Sequence, residues 1–173
     1  LIMADKGLED LFHDTLRDVY YAERHILKTL PKLEASATLD ELKAAFNKHT
    51  SETEGQIQRL ESVFGLIDRK PSAKKCDGIE GILTEGDHVL SEYEGTSALD
   101  AGLISSAQAV EHYEITRYGT LRRWAKMLAL PDAYDLLSET LEEESRTDEL
   151  LTKIADAEAN AKAKAAKGKS KSK

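Results

Sequence analysis

Proline, cysteine and aromatic residues are all scarce in this 173-residue chain: three prolines, one cysteine and an aromatic share of 6%. With so few chain breakers, long stretches are free to be helical, and the abundant Ala, Leu, Glu and Lys favour helix over strand. The lone thiol, Cys76, excludes an internal disulfide and suits a reducing cytoplasm, which is the expected location. No apolar stretch reaches the roughly 18 residues that a membrane helix requires. The N-terminus lacks a basic segment followed by an apolar one, so a secretory leader is not expected either. There is no nucleotide-binding glycine loop and no nucleophile–base arrangement, hence no pointer to an organic substrate.

What the sequence does have is charge. Charged residues make up 32%, as suits long helices with wet outer faces, and the net charge is −8. From Ala157 onward six lysines face one acid, so that segment carries +5 and residues 1–156 carry −13. The body should repel nucleic acid; the Lys-rich segment could attract it weakly, although a solubilising tail is the favoured reading. Residues 4–156 are expected to form one helical domain and residues 157–173 a disordered tail.

Apolar residues recur at helical spacing in five stretches. Phe12, Leu16, Tyr20, Leu27 and Leu30 mark a first helix, with a kink or early stop expected at Pro31. Thr38-Leu39-Asp40-Glu41 has the pattern of a capping box opening a second, which runs to about Leu66. A shorter helix is expected over 78–94, capped by Asp77 and ended by Gly95. A long one follows from about 98 to 129, and Pro131 opens the last, to 156. The expected fold is therefore all-α: an antiparallel four-helix bundle of the ferritin-like kind, with a short extra helix in the crossover between the second and third long helices.

Each long helix carries acids where its apolar stripe should continue. Glu23 follows Tyr20 in the 3-4 rhythm; His49, Thr53 and Gln56 lie on the second stripe with Glu52 beside it; Glu111 and Glu114 occupy consecutive positions between Ala107 and Tyr118; Glu144 and Asp148 fall between Leu141 and Leu151. The heights agree. Glu114 lies 15 residues before Ala129 and Glu144 lies 13 after Pro131, so a short turn brings them level. Glu52 lies 13 residues after Leu39, and counting 13 from Glu23 reaches Ser36, so level placement requires the first helix to continue past Pro31.

A single inward Glu in so acidic a chain would mean little, because most acids are solvated surface groups. A ring of them on four helices costs many kcal/mol unless cations neutralise it, and carboxylates suit iron or manganese. His49 is read either as a ligand or as a packed histidine. His13, His25, His88 and His112 lie off the stripes and are read as structural or exposed. Tyr20, Tyr113 and Tyr118 lie near the acids, able to bond carboxylates, to carry an electron or, more often, simply to pack. Gly55 and Gly119, mid-helix, are read as sites of close helix approach.

The stretches LEDLFHDTLRDVYYAERHILKTLPKL, ELKAAFNKHTSETEGQIQRLESVF, KCDGIEGILTEG, AQAVEHYEITRYGTLRRWA and LLSETLEEES resemble the YciE/YciF-type ferritin-like family over about residues 7–155. The resemblance implies a rubrerythrin-related bundle, homodimeric, with a di-iron site and a link to bacterial stress responses. Glu111 and Glu114 match the Glu-x-x-Glu of rubrerythrin-like helices, Glu23 the single Glu of the first helix, and Glu52 and Glu144 the leading residues of two Glu-x-x-His motifs. Both histidines of those motifs are replaced here, by Gly55 and Thr147. Either His49 and Asp148 substitute, or one side of the site is all-carboxylate. Two functional readings follow: a protein that uses two iron ions, or manganese, to consume oxygen or peroxide or to oxidise ferrous iron; and a non-catalytic stress or assembly protein with a structural metal.

Overall fold

The computed structural model describes residues 5–166. Its helices are α1 (Leu8–Ser36), α2 (Asp40–Leu66), α3 (Asp77–Tyr93), α4 (Leu99–Met127) and α5 (Pro131–Ile154), followed by a π-helical segment (Ala155–Ala159) and a short α6 (Asn160–Ala165). Four long helices form the bundle. Their neighbours around it run α1, α2, α5, α4, and α3 lies on α4 and α1.

The heptad-like stripes bury two apolar clusters. One contains Ile26, Leu30, Leu42, Phe46, Leu103, Ile104, Leu151 and Ile154. The other contains Phe12, Leu16, Leu60, Phe64, Tyr118, Leu121, Ala125 and Leu137. Along the chain α1 and α5 pass from the second cluster to the first, whereas α2 and α4 pass from the first to the second. Each helix is thus antiparallel to both neighbours, and the α2–α4 connection is the crossover that carries α3. In every long helix the buried run changes from apolar to polar where the clusters meet, at Glu23, at His49–Gln56, at Glu111–Glu114 and at Thr140–Thr147.

Several local expectations change. Helix α1 continues through Pro31 to Ser36, as level placement of Glu23 and Glu52 requires, so the early stop does not occur. The capping box at Thr38 does not form: Leu39 is the N-cap of α2 and contributes no side-chain bond. Instead the buried Asp100 of α4 accepts from the Thr38 amide at 2.8 Å, the Thr38 hydroxyl at 2.5 Å and the Leu39 amide at 3.1 Å. A carboxylate brought by tertiary structure reaches more donors than Thr38 could serve itself.

Neither Gly55 nor Gly119 marks a close helix approach: an added Cβ would meet only the end of Arg59, 3.8 Å away, at the first and nothing within 4 Å at the second. That role belongs to Gly102, where a Cβ would lie 2.6 Å from Val89 Cγ1 and push α3 off α4. Helical structure also extends past residue 156 to Ala165, because Ala155 and Ala159 bury their small side chains and Lys162 reaches Thr38 Oγ1 at 2.8 Å. The remainder of the expected tail, residues 167–173, lies outside the described residues. Among the described residues no helix is long and apolar enough to cross a membrane.

Candidate metal centre

The polar layer between the two apolar clusters gathers acids from all four helices. His49, Glu111, Glu114 and Glu144 are buried, and each offers a nitrogen or oxygen atom within 4.8 Å of those of the other three. Glu23 is fully buried beside them, and Tyr118 donates its hydroxyl to Glu23 Oε1. Helix α2 brings His49 into the layer, with Nε2 3.2 Å from Glu111 Oε1 and 3.9 Å from Glu144 Oε2. Thr53, one turn on, satisfies itself on the His49 carbonyl at 2.8 Å.

Glu52 sits at the rim, with 17% of its side chain exposed. Its carboxylate meets Lys48 at 3.1 Å, and His49 Nδ1 lies 3.8 Å away. Asp148 is not part of the buried group. It is partly exposed and turned to Gln108, at 3.0 Å, and to His112, at 3.2 Å. The spacing of Asp148, one turn beyond Glu144, is right for the stripe, but two polar neighbours on α4 hold it to the side.

The electrostatics are those of acids crowded without counterions. Burial, with the charge of Glu144 adding to it, pushes the Glu23 carboxyl up to about 8. Burial first, then Glu144, raises Glu111 and Glu114 well above the carboxylate range. For His49 burial works downward, but the facing Glu52, Glu144 and Glu23 outweigh it and raise the imidazole. Glu52 is held low by His49, against its own partial burial and with help from Lys48.

Many of these atoms have no hydrogen-bond partner in the protein: Glu23 Oε2, Glu111 Oε2, both oxygens of Glu114 and Glu144 Oε2; the ring nitrogens of His49 make no aligned hydrogen bond and meet Glu111 and Glu52 only as charge contacts at 3.2 and 3.8 Å. Buried polar atoms are otherwise almost always satisfied, so a concentration of orphans in one layer is what a set of ligands looks like. Oxygen donors with one imidazole suit iron or manganese, and the residues present fit such ions.

Sequence reasoning put Gln56 on the inward stripe of α2 but missed Arg59 of α2 and Glu143 of α5, which support this layer with it. Gln56 donates to Glu144 Oε1 and to Glu143 Oε2, the latter at 3.0 Å. Arg59 in turn bonds Glu143 at 2.6 and 2.9 Å and Thr140 at 2.9 Å. Gln56 was legible on its stripe; Arg59 and Glu143 look like any surface pair until the α2–α5 contact is known. Of the tyrosines, Tyr118 bonds Glu23, whereas Tyr20 turns to Glu61 at 2.9 Å and Tyr113 to Cys76 Sγ at 3.0 Å.

Neighbour-alternating helices, a crossover and a central layer of carboxylates define a ferritin-like helical bundle. Residues 7–164 match the family described as a domain of unknown function (DUF892), and the chain belongs to that family. It is 42% identical over 151 residues to Protein YciF of Escherichia coli (strain K12), covering 87% of this chain and 91% of that protein. The crystal structure of YciF, described as a stress protein, superposes with a TM-score of 0.86 over 90% of this chain and 99% of that one, at 41% identity. A Rhodopseudomonas palustris protein called YcfI and described as structural gives 0.84 at 41% identity, over 88% and 97% of the two chains. A two-domain Anabaena variabilis protein with a ferritin-like domain gives 0.61 at 18% identity, over 98% of this chain and 43% of that one, a likeness of fold alone.

Proposed function

We propose that the chain is a metal-carboxylate protein of bacterial stress response that holds a pair of ions, iron or alternatively manganese, between its four long helices. Glu23, His49, Glu111, Glu114 and Glu144 are the ligands, and Glu52 joins them from the rim. Bound metal would supply Lewis acidity and electrons for reaction with oxygen or peroxide, or for oxidation of ferrous iron. The observation that carries the reading is the close group of His49, Glu111, Glu114 and Glu144, buried and rich in unpartnered ligand atoms.

The chain's own residues define the rest of the site. Tyr118 and Gln56 orient Glu23 and Glu144 by hydrogen bonds, as ligand carboxylates require. The two apolar clusters keep bulk water from the layer. Metal content measured by mass spectrometry, on protein isolated without chelator, tests the reading. About two iron or manganese ions per chain, lost in a Glu111→Ala, Glu114→Ala variant, are expected. No metal, even after anaerobic ferrous loading, sinks it.

A second reading, a structural metal without turnover, draws on the replacement of both motif histidines by Gly55 and Thr147 and on the description of the R. palustris relative. Chelation that lowers Tm, with no oxidant consumed by the loaded protein, would favour it.

A further inference from the structure

Under the crossover helix α3, between α1 and α4, lies a cavity of about 20 Å3. Its walls are Ile26, Leu30, Leu33, Leu83, Ala107 and Val110; Thr29 adds one hydroxyl, and the inner end is formed by His49 and Glu111. The walls grade from half-buried Leu33 and Leu83 to buried Ile26, Ala107 and Val110, so the cavity leads from beneath the surface to the acidic layer. A single water needs about 10–15 Å3 of such volume together with several polar partners, and cavities with apolar walls stay dry.

The roof is held at both ends. Tyr21 Oη donates to Glu80 at 2.6 Å, and Lys32 pairs with Asp87 at 2.6 Å. Ile26 and Leu30 lie between Tyr21 and Lys32 on α1, and Leu83 lies between Glu80 and Asp87 on α3. The two clasps therefore bracket the cavity, while Gly102 lets α3 settle onto α4 through Val89.

We propose that this cavity is a gas port, which binds dioxygen and passes it to the His49–Glu111 side of the acidic layer. The inference rests on the metal reading above and narrows its oxidant. Dioxygen is small and apolar and loses little on leaving water. Hydrogen peroxide and a hydrated cation would each give up hydrogen bonds that these walls do not replace.

The test is methyl NMR of the full-length chain, stripped of metal, under oxygen pressure. Paramagnetic relaxation by dissolved oxygen is expected to be roughly threefold or more greater at the methyls of Ile26, Leu30, Leu83 and Val110 than at Leu16 and Leu121, which are buried in the other cluster. Filling the cavity by Ala107→Leu, or at its half-buried mouth by Leu83→Trp, should bring it down to their level. If Ala107→Leu fails to fold, Leu83→Trp decides alone. Uniform relaxation across buried methyls, or relaxation unchanged by the filling, overturns the port. Because no metal is present, a chain that binds no iron yet keeps this relaxation loses the metal reading and not the port. A chain that binds metal without it loses the port alone.

Discussion

Tyr118 donates its hydroxyl to Glu23 Oε1 across the α1–α4 seam, while Glu23 Oε2 has no bonding partner in the protein. Both side chains are fully buried. The bond fixes one oxygen and leaves the other for a cation. Removing the donor by Tyr118→Phe strands Glu23 completely, at a cost of about 1–3 kcal/mol to the metal-free protein. Urea titration of the stripped variant against the stripped parent measures this. Equal midpoints would mean that Glu23 finds its partner elsewhere.

The metal-free protein should lose stability as pH rises. Burial pushes the Glu23 carboxyl from 4.5 up to about 8, and Glu111, Glu114 and His49 are also raised. Groups raised on folding hold their protons in the native state after the unfolded chain has released them. Their contribution is complete below the unfolded value, shrinks above it and is gone past the folded one. Glu52, held low, acts the other way, but only at the acid end. Tm of stripped protein should therefore fall between about pH 5 and pH 8. Loaded protein should show the opposite trend, because metal binds the deprotonated ligands. A flat profile for stripped protein would contradict the burial of these carboxyls.

How much of this was legible in the sequence depended on whether a feature was local or tertiary. The stripes gave the helices, and counting residues from Pro131 and Leu39 put Glu23, Glu52, Glu114 and Glu144 at one height, even requiring α1 to run past Pro31. Period and rise are properties of the helix itself, so they survive folding unchanged. The errors at Asp148, Thr38 and the glycines concern neighbours that sequence does not display. Asp148 has the right spacing but is drawn aside by Gln108 and His112. Thr38 is served by Asp100 from 62 residues away. No other helix approaches Gly55 or Gly119, and the close contact is at Gly102.

Those glycines give a paired prediction. In a helix interior Gly→Ala normally stabilises, by up to about 1 kcal/mol. Gly119→Ala should do so, since an added Cβ meets nothing within 4 Å. Gly102→Ala should reverse the sign and cost about 1–3 kcal/mol, because the new methyl collides with Val89 and α3 cannot retreat without opening its clasps. Thermal melts of the two variants decide it, and stabilisation of both would show that α3 rides loosely on α4.

Asp100 is buried and alone serves the Thr38 and Leu39 amides at the start of α2. Asp100→Ala should cost about 2 kcal/mol, at the upper end for a lost cap because the donors lie in a closed corner. Lys162 should be loosened too, since it lies 3.9 Å from Asp100 Oδ2 and bonds the Thr38 hydroxyl that Asp100 holds in place. Hydrogen exchange would report both effects, as faster exchange at residues 38–42 and at 160–165. Faster exchange at neither would mean that the corner is held by apolar contact alone.

Stability and metal binding should trade against each other at Glu111 and Glu114. Without metal these carboxyls are buried, short of partners and obliged to take up protons on folding, so Glu111→Gln, Glu114→Gln should raise the Tm of the stripped protein. With metal the sign should invert. The parent gains RT ln(1 + [L]/Kd), about 2.7 kcal/mol at a hundredfold excess over Kd, and the variant, lacking two ligands, gains little. Calorimetric melts of both proteins, stripped and then titrated with ferrous iron under anaerobic conditions, should therefore cross. Curves that stay parallel would mean that the acidic layer is not where the metal binds, whatever the total metal content. A layer that destabilises the bare fold and stabilises the loaded one is what distinguishes a retained binding site from a chance cluster of acids.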